Sequence, residues 1–121
     1  MTDIQRLTHA ILEAQSAGAA KPRLDQLIAI LCQIVDLELH PAIFRDTGAT
    51  TTDHGKAVSP TTAAQCAEDI ERSRIFMQGV YRAIRTRVDN GHKVNLLYAG
   101  TGPFGLLVVL LLPLFAQVIR A

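Results

Sequence analysis

Hydrophobic positions recur along this chain first at helical spacing and then, near its end, in an almost unbroken run. Ile4, Leu7, Ile11 and Ala14 lie three and four residues apart, one apolar stripe on a first helix that Thr2 or Asp3 can cap and that extends to about residue 16. Gly18 is the expected stop, and Lys21-Pro22 the expected start of a second helix reaching about residue 38. On that helix Leu24, Leu27, Ile28, Leu31 and Val35 share a face. Ile30, Ile34 and Leu37 widen it, so the helix is expected to pack on more than one side. His40-Pro41 ends it, because the residue before a proline is pushed out of the helical region.

The pattern then lapses. Residues 45–59, RDTGATTTDHGKAVS, are small, polar and glycine-bearing, and they read as a loop near the upper length found in compact domains. Ser59-Pro60 is a helix start, a hydroxyl cap followed by proline at the first helical position. A third helix is expected from there to residue 89, stopped by Asn90-Gly91. Its apolar positions (Ala63, Cys66, Ala67, Ile70, Phe76, Met77, Val80, Tyr81, Ile84, Val88) keep the helical period with one slip near Ser73. Gly79 inside it costs about 1 kcal/mol relative to alanine and permits close packing or a bend.

The final quarter has a different character. Val94, Leu96 and Leu97 suit a strand over residues 93–98 that is buried on both faces. The turn Gly100-Thr101-Gly102-Pro103-Phe104-Gly105 follows, and then a helix over residues 106–119 that is apolar almost all round, with Pro113 expected to kink or stop it. The fold class is therefore mainly α: a three-helix N-terminal region, residues 1–91, followed by one strand–glycine turn–helix unit, residues 92–121. No charged side chain occurs from residue 94 to 119, a 26-residue stretch with Arg82, Arg85, Arg87 and Lys93 on one side, so a membrane-anchored helical protein is one alternative. The glycine turn, Pro113, Asn95 and Gln117 all argue against a spanning helix there.

Charge narrows the function little. The formal net charge of +1 and the scarcity of aromatics (four Phe, two Tyr, no Trp) give no footing for nucleic acid. The first fifteen residues carry charges throughout and lack the apolar run of a signal peptide, and Cys32 and Cys66 are expected as free thiols on apolar helix faces; both fit a cytoplasmic protein. His9, His40, His54 and His92 are scattered without ligand spacing, so no metal site is expected. His9 is expected to face solvent. Asp53-His54 in the polar loop reads as a polar turn, with an acid–base pair on a lid as the functional alternative. Arg72, Arg74, Arg82, Arg85 and Arg87 crowd the third helix. Interleaved with Glu68, Asp69 and Glu71, they read as a solvated face with local ion pairs rather than a phosphate-binding surface. No nucleophile–base arrangement can be read from spacing, and catalytic residues stay unassigned.

One stretch resembles a known family. Leu96-Leu97-Tyr98-Ala99-Gly100-Thr101-Gly102-Pro103-Phe104 is similar to motif I of class I S-adenosylmethionine-dependent methyltransferases, and the upstream SPTTAAQCAEDIERSRIFMQGVYRAI resembles the helical N-terminal extensions of some of them. The resemblance implies the first βα unit of a Rossmann-like sheet and S-adenosylmethionine as cofactor, with Gly100, Gly102 and Gly105 shaping the backbone around it. Tyr98 stands where the family usually has an acidic residue, and the acid that ends the family's second strand has no counterpart before residue 121. The expectation is an N-terminal fragment of a methyltransferase-like protein, inactive alone, completed by a missing C-terminal domain or another copy. The same glycines also satisfy GxGxxG, the dinucleotide fingerprint. Two readings of other kinds stay open: a small, helical, self-associating interaction module, and a glycine turn that merely joins two core elements.

Overall fold

The computed structural model describes residues 2–39, 50–52, 55–57 and 60–115. Helix α1 spans Asp3–Glu13, and Thr2 caps it reciprocally: its hydroxyl accepts from the Gln5 amide at 3.2 Å while Gln5 Oε1 accepts from the Thr2 amide at 3.0 Å. The expected stripe is the buried one, with Leu7, Ile11 and Ala14 in the core and Ile4 half-buried. Thr8, also buried, turns its hydroxyl back to the Ile4 carbonyl at 2.7 Å. His9 is half-buried rather than solvent-facing.

Helix α2, Ala17–Val35, differs from the expectation at both ends. It starts before Gly18 and Pro22, which lie inside it, because the Ser16 hydroxyl accepts from the Ala19 amide at 3.1 Å and nucleates the first turn. Pro22 is tolerated because it sits in the second turn, where only one backbone bond is forfeited. The helix ends before His40-Pro41 is reached: Asp36 turns left-handed (φ 52°) and the Leu37 amide closes on the Cys32 carbonyl at 2.9 Å. Leu24, Leu27, Ile28 and Leu31 are buried as their spacing predicts, whereas Ile34 (64% exposed) and Val35 face outward, so the second packing face is incomplete.

Short strands β1 (Thr50–Thr52) and β2 (Gly55–Ala57) pair antiparallel within the stretch expected as a loop. Beyond them the single third helix becomes three pieces: α3 (Pro60–Gln65), a 3-10 turn (Cys66–Glu68) and α4 (Ile70–Asp89). The break, at residues 66–69, falls about one turn before the slip near Ser73, which itself lies inside α4. Asp69 leaves the helical region (ψ 91°), and its carboxylate accepts from the Arg72 amide at 3.2 Å. The buried Ser73 hydroxyl donates to the Ala67 carbonyl at 3.0 Å, so both new ends are capped by side chains. At the far end Asn90-Gly91 stops α4 as expected, with Gly91 at φ 72° and paired bonds from the Gly91 and His92 amides to the Val88 and Arg87 carbonyls, each 2.9 Å.

The last quarter departs most from its sequence reading. Residues 93–99 make no backbone hydrogen bond among the described residues, so the expected strand has no ladder partner there. Nor is it buried on both faces: Leu97 is 93% exposed and Leu96 40%. In place of a long α-helix there are turns and then a 3-10 helix, Val109–Phe115, containing Pro113. The proline lacks the amide for an i−4 bond, which leaves too few residues ahead of it for a stable α-helix. Even so this element is core. Phe104, Leu106, Leu110 and Leu111 join Leu7, Ile11, Leu24, Leu27, Leu31 and Met77 in one cluster, and Phe115 meets Tyr81 ring to ring at 5.2 Å. The molecule is thus mainly helical, with its apolar end folded against α1. Among the described residues no helix is long and apolar enough to cross a membrane.

Candidate functional site

Packing the last quarter back onto the helices brings the glycine turn against α3 and the start of α4. Between them lies a cleft of about 210 Å³, bordered on one side by Tyr98, Gly100, Thr101 and Gly102 and on the other by Ala63, Cys66 and Arg72. Phe104, Leu106 and Leu107 supply apolar surface. Of the four candidate cofactor residues, Tyr98, Gly100 and Gly102 meet at this cleft; Gly105 does not border it.

The turn is left-handed three times, at Gly100 (φ 69°), Gly102 (φ 62°) and Gly105 (φ 57°), a backbone that side-chain-bearing residues seldom adopt. Gly105 has a second constraint. A Cβ there would lie 2.6 Å from Val109 Cγ2, while its carbonyl accepts from the Val109 amide at 2.9 Å and its amide donates to the Thr101 carbonyl at 3.2 Å. Gly105 therefore joins the turn to the core behind it, and Gly100 and Gly102 form the side that faces the cleft.

The arginines separate by environment. Arg74 pairs with Glu71, and its Nη1 also reaches the Ala14 carbonyl at 3.4 Å; Arg85 pairs with Asp89 at 3.2 Å. Arg85 follows the solvated-face expectation; Arg74, with only 14% of its side chain exposed, is instead packed at the junction with α1. Arg72 differs. Its guanidinium lies 5.6 Å from the centre of the Phe76 ring, donates to the Cys66 carbonyl at 3.5 Å, and makes no ion pair among the described residues. Spacing alone ranks Arg72 with its neighbours; only the break at Asp69 turns it toward the cleft.

The two cysteines are free thiols in contrasting settings. Cys66 is exposed at the cleft, against the sequence expectation of a buried apolar position. Cys32 is half-buried, and burial, with a smaller contribution from the nearby Glu68 carboxylate, pushes its thiol pKa up. Asp53-His54 lies outside the described residues. Among the described residues no cluster of His, Cys, Asp and Glu could hold a metal ion.

A second, more open groove of about 420 Å³ runs between α4 and the extended segment, lined by Val80, Ala83, Ile84 and Arg87 on the helix and residues 93–96 opposite. It is shaped by the unpaired backbone of that segment and contains no acid–base pair. Compared with protein-family models, with curated proteins and with solved structures, the chain matches none, so its functional reading rests on this geometry and on the residues of the turn.

Proposed function

We propose that the chain is the helical N-terminal region and glycine-turn unit of an S-adenosylmethionine-dependent methyltransferase-like protein. The observation that carries this reading is the three left-handed glycines within one six-residue turn, two of which border a cleft together with Tyr98. Such a turn lets backbone approach a ligand where a side chain would stand in the way. The extended, unpaired residues 93–99 support the same reading, since they have the form of a strand whose sheet neighbours are supplied by another segment.

The residues fit part of the cofactor. Phe104, Leu106 and Leu107 offer apolar contact, the Gly100–Gly102 backbone offers close approach, and Arg72 offers a cation for a carboxylate. Among the described residues no Asp or Glu borders the cleft, so the carboxylate that usually holds the ribose hydroxyls has no counterpart among them. In this proposal the chain contributes half of a cofactor site and none of the catalytic groups, and it binds the cofactor weakly on its own.

An NMR titration of the ¹⁵N-labelled chain tests this. S-adenosylmethionine at millimolar concentration is expected to shift the amides of residues 98–105 and of the facing residues 63–67. An unperturbed spectrum sinks the proposal, and equal shifts with NAD favour the dinucleotide reading of the same glycines instead.

The outward-facing Leu97, Ile75 (51% exposed) and Phe76 (53% exposed) favour a second reading, a self-associating helical module. Sedimentation velocity separates the two: a monomer whose Leu97→Lys variant sediments identically leaves self-association without support.

A further inference from the structure

The one arginine of α4 among the described residues bordering the cleft, Arg72, forms no ion pair with another described residue. We infer that Arg72 is a carboxylate-binding residue and that the cleft takes an amino-acid-bearing ligand by its α-carboxylate. Of the acids nearest in sequence, Glu71 holds Arg74 and Asp69 Oδ1 accepts the backbone amide of Arg72, and neither forms an ion pair with the Arg72 guanidinium. Of the five N–H groups on the guanidinium, one forms a bond to a described residue, the long one to the Cys66 carbonyl. The Phe76 ring, 5.6 Å away, gives the guanidinium a cation–π contact, and the planar group carries its donors in a fork that matches a carboxylate.

Size and charge define the ligand class. A cleft of about 210 Å³ is smaller than the roughly 300–1,000 Å³ of pockets that take drug-sized molecules, and suits an amino-acid-sized moiety. Among the described residues no second Lys, Arg or His borders it, so a monoanionic carboxylate is balanced there and a phosphate dianion is not. Opposite the cation, the Thr101 and Tyr98 side chains and the glycine backbone offer polar groups for an α-amine, and Leu106 and Leu107 offer contact for an apolar side chain. The inference rests on the cofactor reading above only in naming that ligand as the methionine end of S-adenosylmethionine; the lone cation and the cleft stand without it.

The test follows the Arg72 Nε–Hε resonance and the amides of residues 98–105 during titration with four probes: L-methionine, L-methioninol (no carboxylate), S-adenosylmethionine and 5′-methylthioadenosine (no amino-acid end). Methionine and S-adenosylmethionine are expected to move the Arg72 resonance while the two carboxylate-free probes leave it in place. Arg72→Gln is expected to weaken both responsive probes about ten-fold or more, and Arg72→Lys, which keeps charge but not the fork, to weaken them less. Circular dichroism and urea unfolding of both variants establish that they fold. If methionine and methioninol bind alike, or Arg72→Gln binds as the wild type does while S-adenosylmethionine still shifts residues 98–105, the inference is overturned and the cofactor reading survives. If S-adenosylmethionine shifts nothing but methionine still binds through Arg72, the cofactor reading fails and the carboxylate site stands.

Discussion

Replacing Gln78 with methionine should loosen the junction between α1 and α4 more than any other conservative change on α4. The Gln78 side chain is 8% exposed, and its Nε2 lies 3.3, 3.2 and 2.8 Å from the carbonyl oxygens of Ile11, Leu12 and Ala14. These are the carbonyls that the end of α1 leaves without intrahelical partners. One amide has two hydrogens, so the three contacts amount to about two hydrogen bonds. Two carbonyls keep substitutes when the amide is lost: the Ala14 amide still donates to Ile11 at 3.2 Å, and Arg74 to Ala14 at 3.4 Å. The Leu12 carbonyl is the one left bare. With each net bond contributing about 0.5–1.5 kcal/mol and a buried orphan costing about 1–3 kcal/mol, Gln78→Met should cost about 2 kcal/mol. Urea unfolding followed at 222 nm measures this, and hydrogen exchange locates it at the end of α1. Gln78→Met within about 0.5 kcal/mol of wild type would refute the capping role, since surface-like substitutions fall in that range.

Other outcomes follow from single features of the fold. Gly105→Ala combines a left-handed backbone with a Cβ 2.6 Å from Val109 Cγ2, so it should destabilise by more than the roughly 1–2 kcal/mol of the backbone term alone, which is all that Gly100→Ala incurs; a Val109→Ala second-site change should restore only the excess, as thermal unfolding can report. Asp69→Ala removes the cap of α4 and should cost about 1 kcal/mol, read by denaturant unfolding, with Asp69→Asn retaining most of it. Iodoacetamide should label the exposed Cys66 well before Cys32, seen by mass spectrometry of the peptides. Because the Cys32 thiol pKa is raised in the folded state, its contribution to stability is full below the ordinary thiol pKa and is lost as pH rises through the raised value; Cys32→Ala should flatten that alkaline decline in urea midpoints.

The helices were legible wherever a local signal had no competitor. The stripe of Ile4, Leu7 and Ile11 and the stop at Asn90-Gly91 follow from spacing and from one left-handed glycine, and both recur in the fold. The errors came where two local signals pointed to different boundaries. Gly18 and Pro22 looked like a stop and a start, yet the Ser16 cap won because one hydroxyl-to-amide bond outweighs a glycine early in a helix. In the third helix the slip near Ser73 was visible, but a slip alone does not say which way the chain turns. That is decided by the Asp69 cap and by Ser73 bonding across the break to Ala67, contacts between residues too far apart for a periodicity to register. The part of the candidate site drawn from the glycines was legible because left-handed backbone has a compositional mark. Arg72 was not, because its distinction from Arg74 and Arg85 is that it forms no ion pair among the described residues, which depends on where the neighbouring acids point.

The segment after α4 shows why a run of apolar residues underdetermines structure. Val94, Leu96 and Leu97 satisfy the composition of a buried strand, but burial of a strand requires neighbours on both edges, and that is a property of other segments. Here the same residues lie extended along α4, Val94 half-buried against it and Leu97 in solvent, with every backbone donor from residue 93 to 99 unpaired among the described residues. The amides of residues 94–98 should therefore exchange with deuterium at nearly the unprotected rate, in contrast to the α4 amides, which open only with the fold. Slow exchange of this segment in a monomeric sample would mean that it is already laddered, and the reading of a strand awaiting its sheet would fall. Fast exchange that slows when a partner segment is added in trans would identify the contact that the cofactor proposal requires. The glycine turn is held to the core by Phe104, Leu106 and Gly105 whether or not residues 93–99 are paired, so its left-handed shape does not depend on that segment.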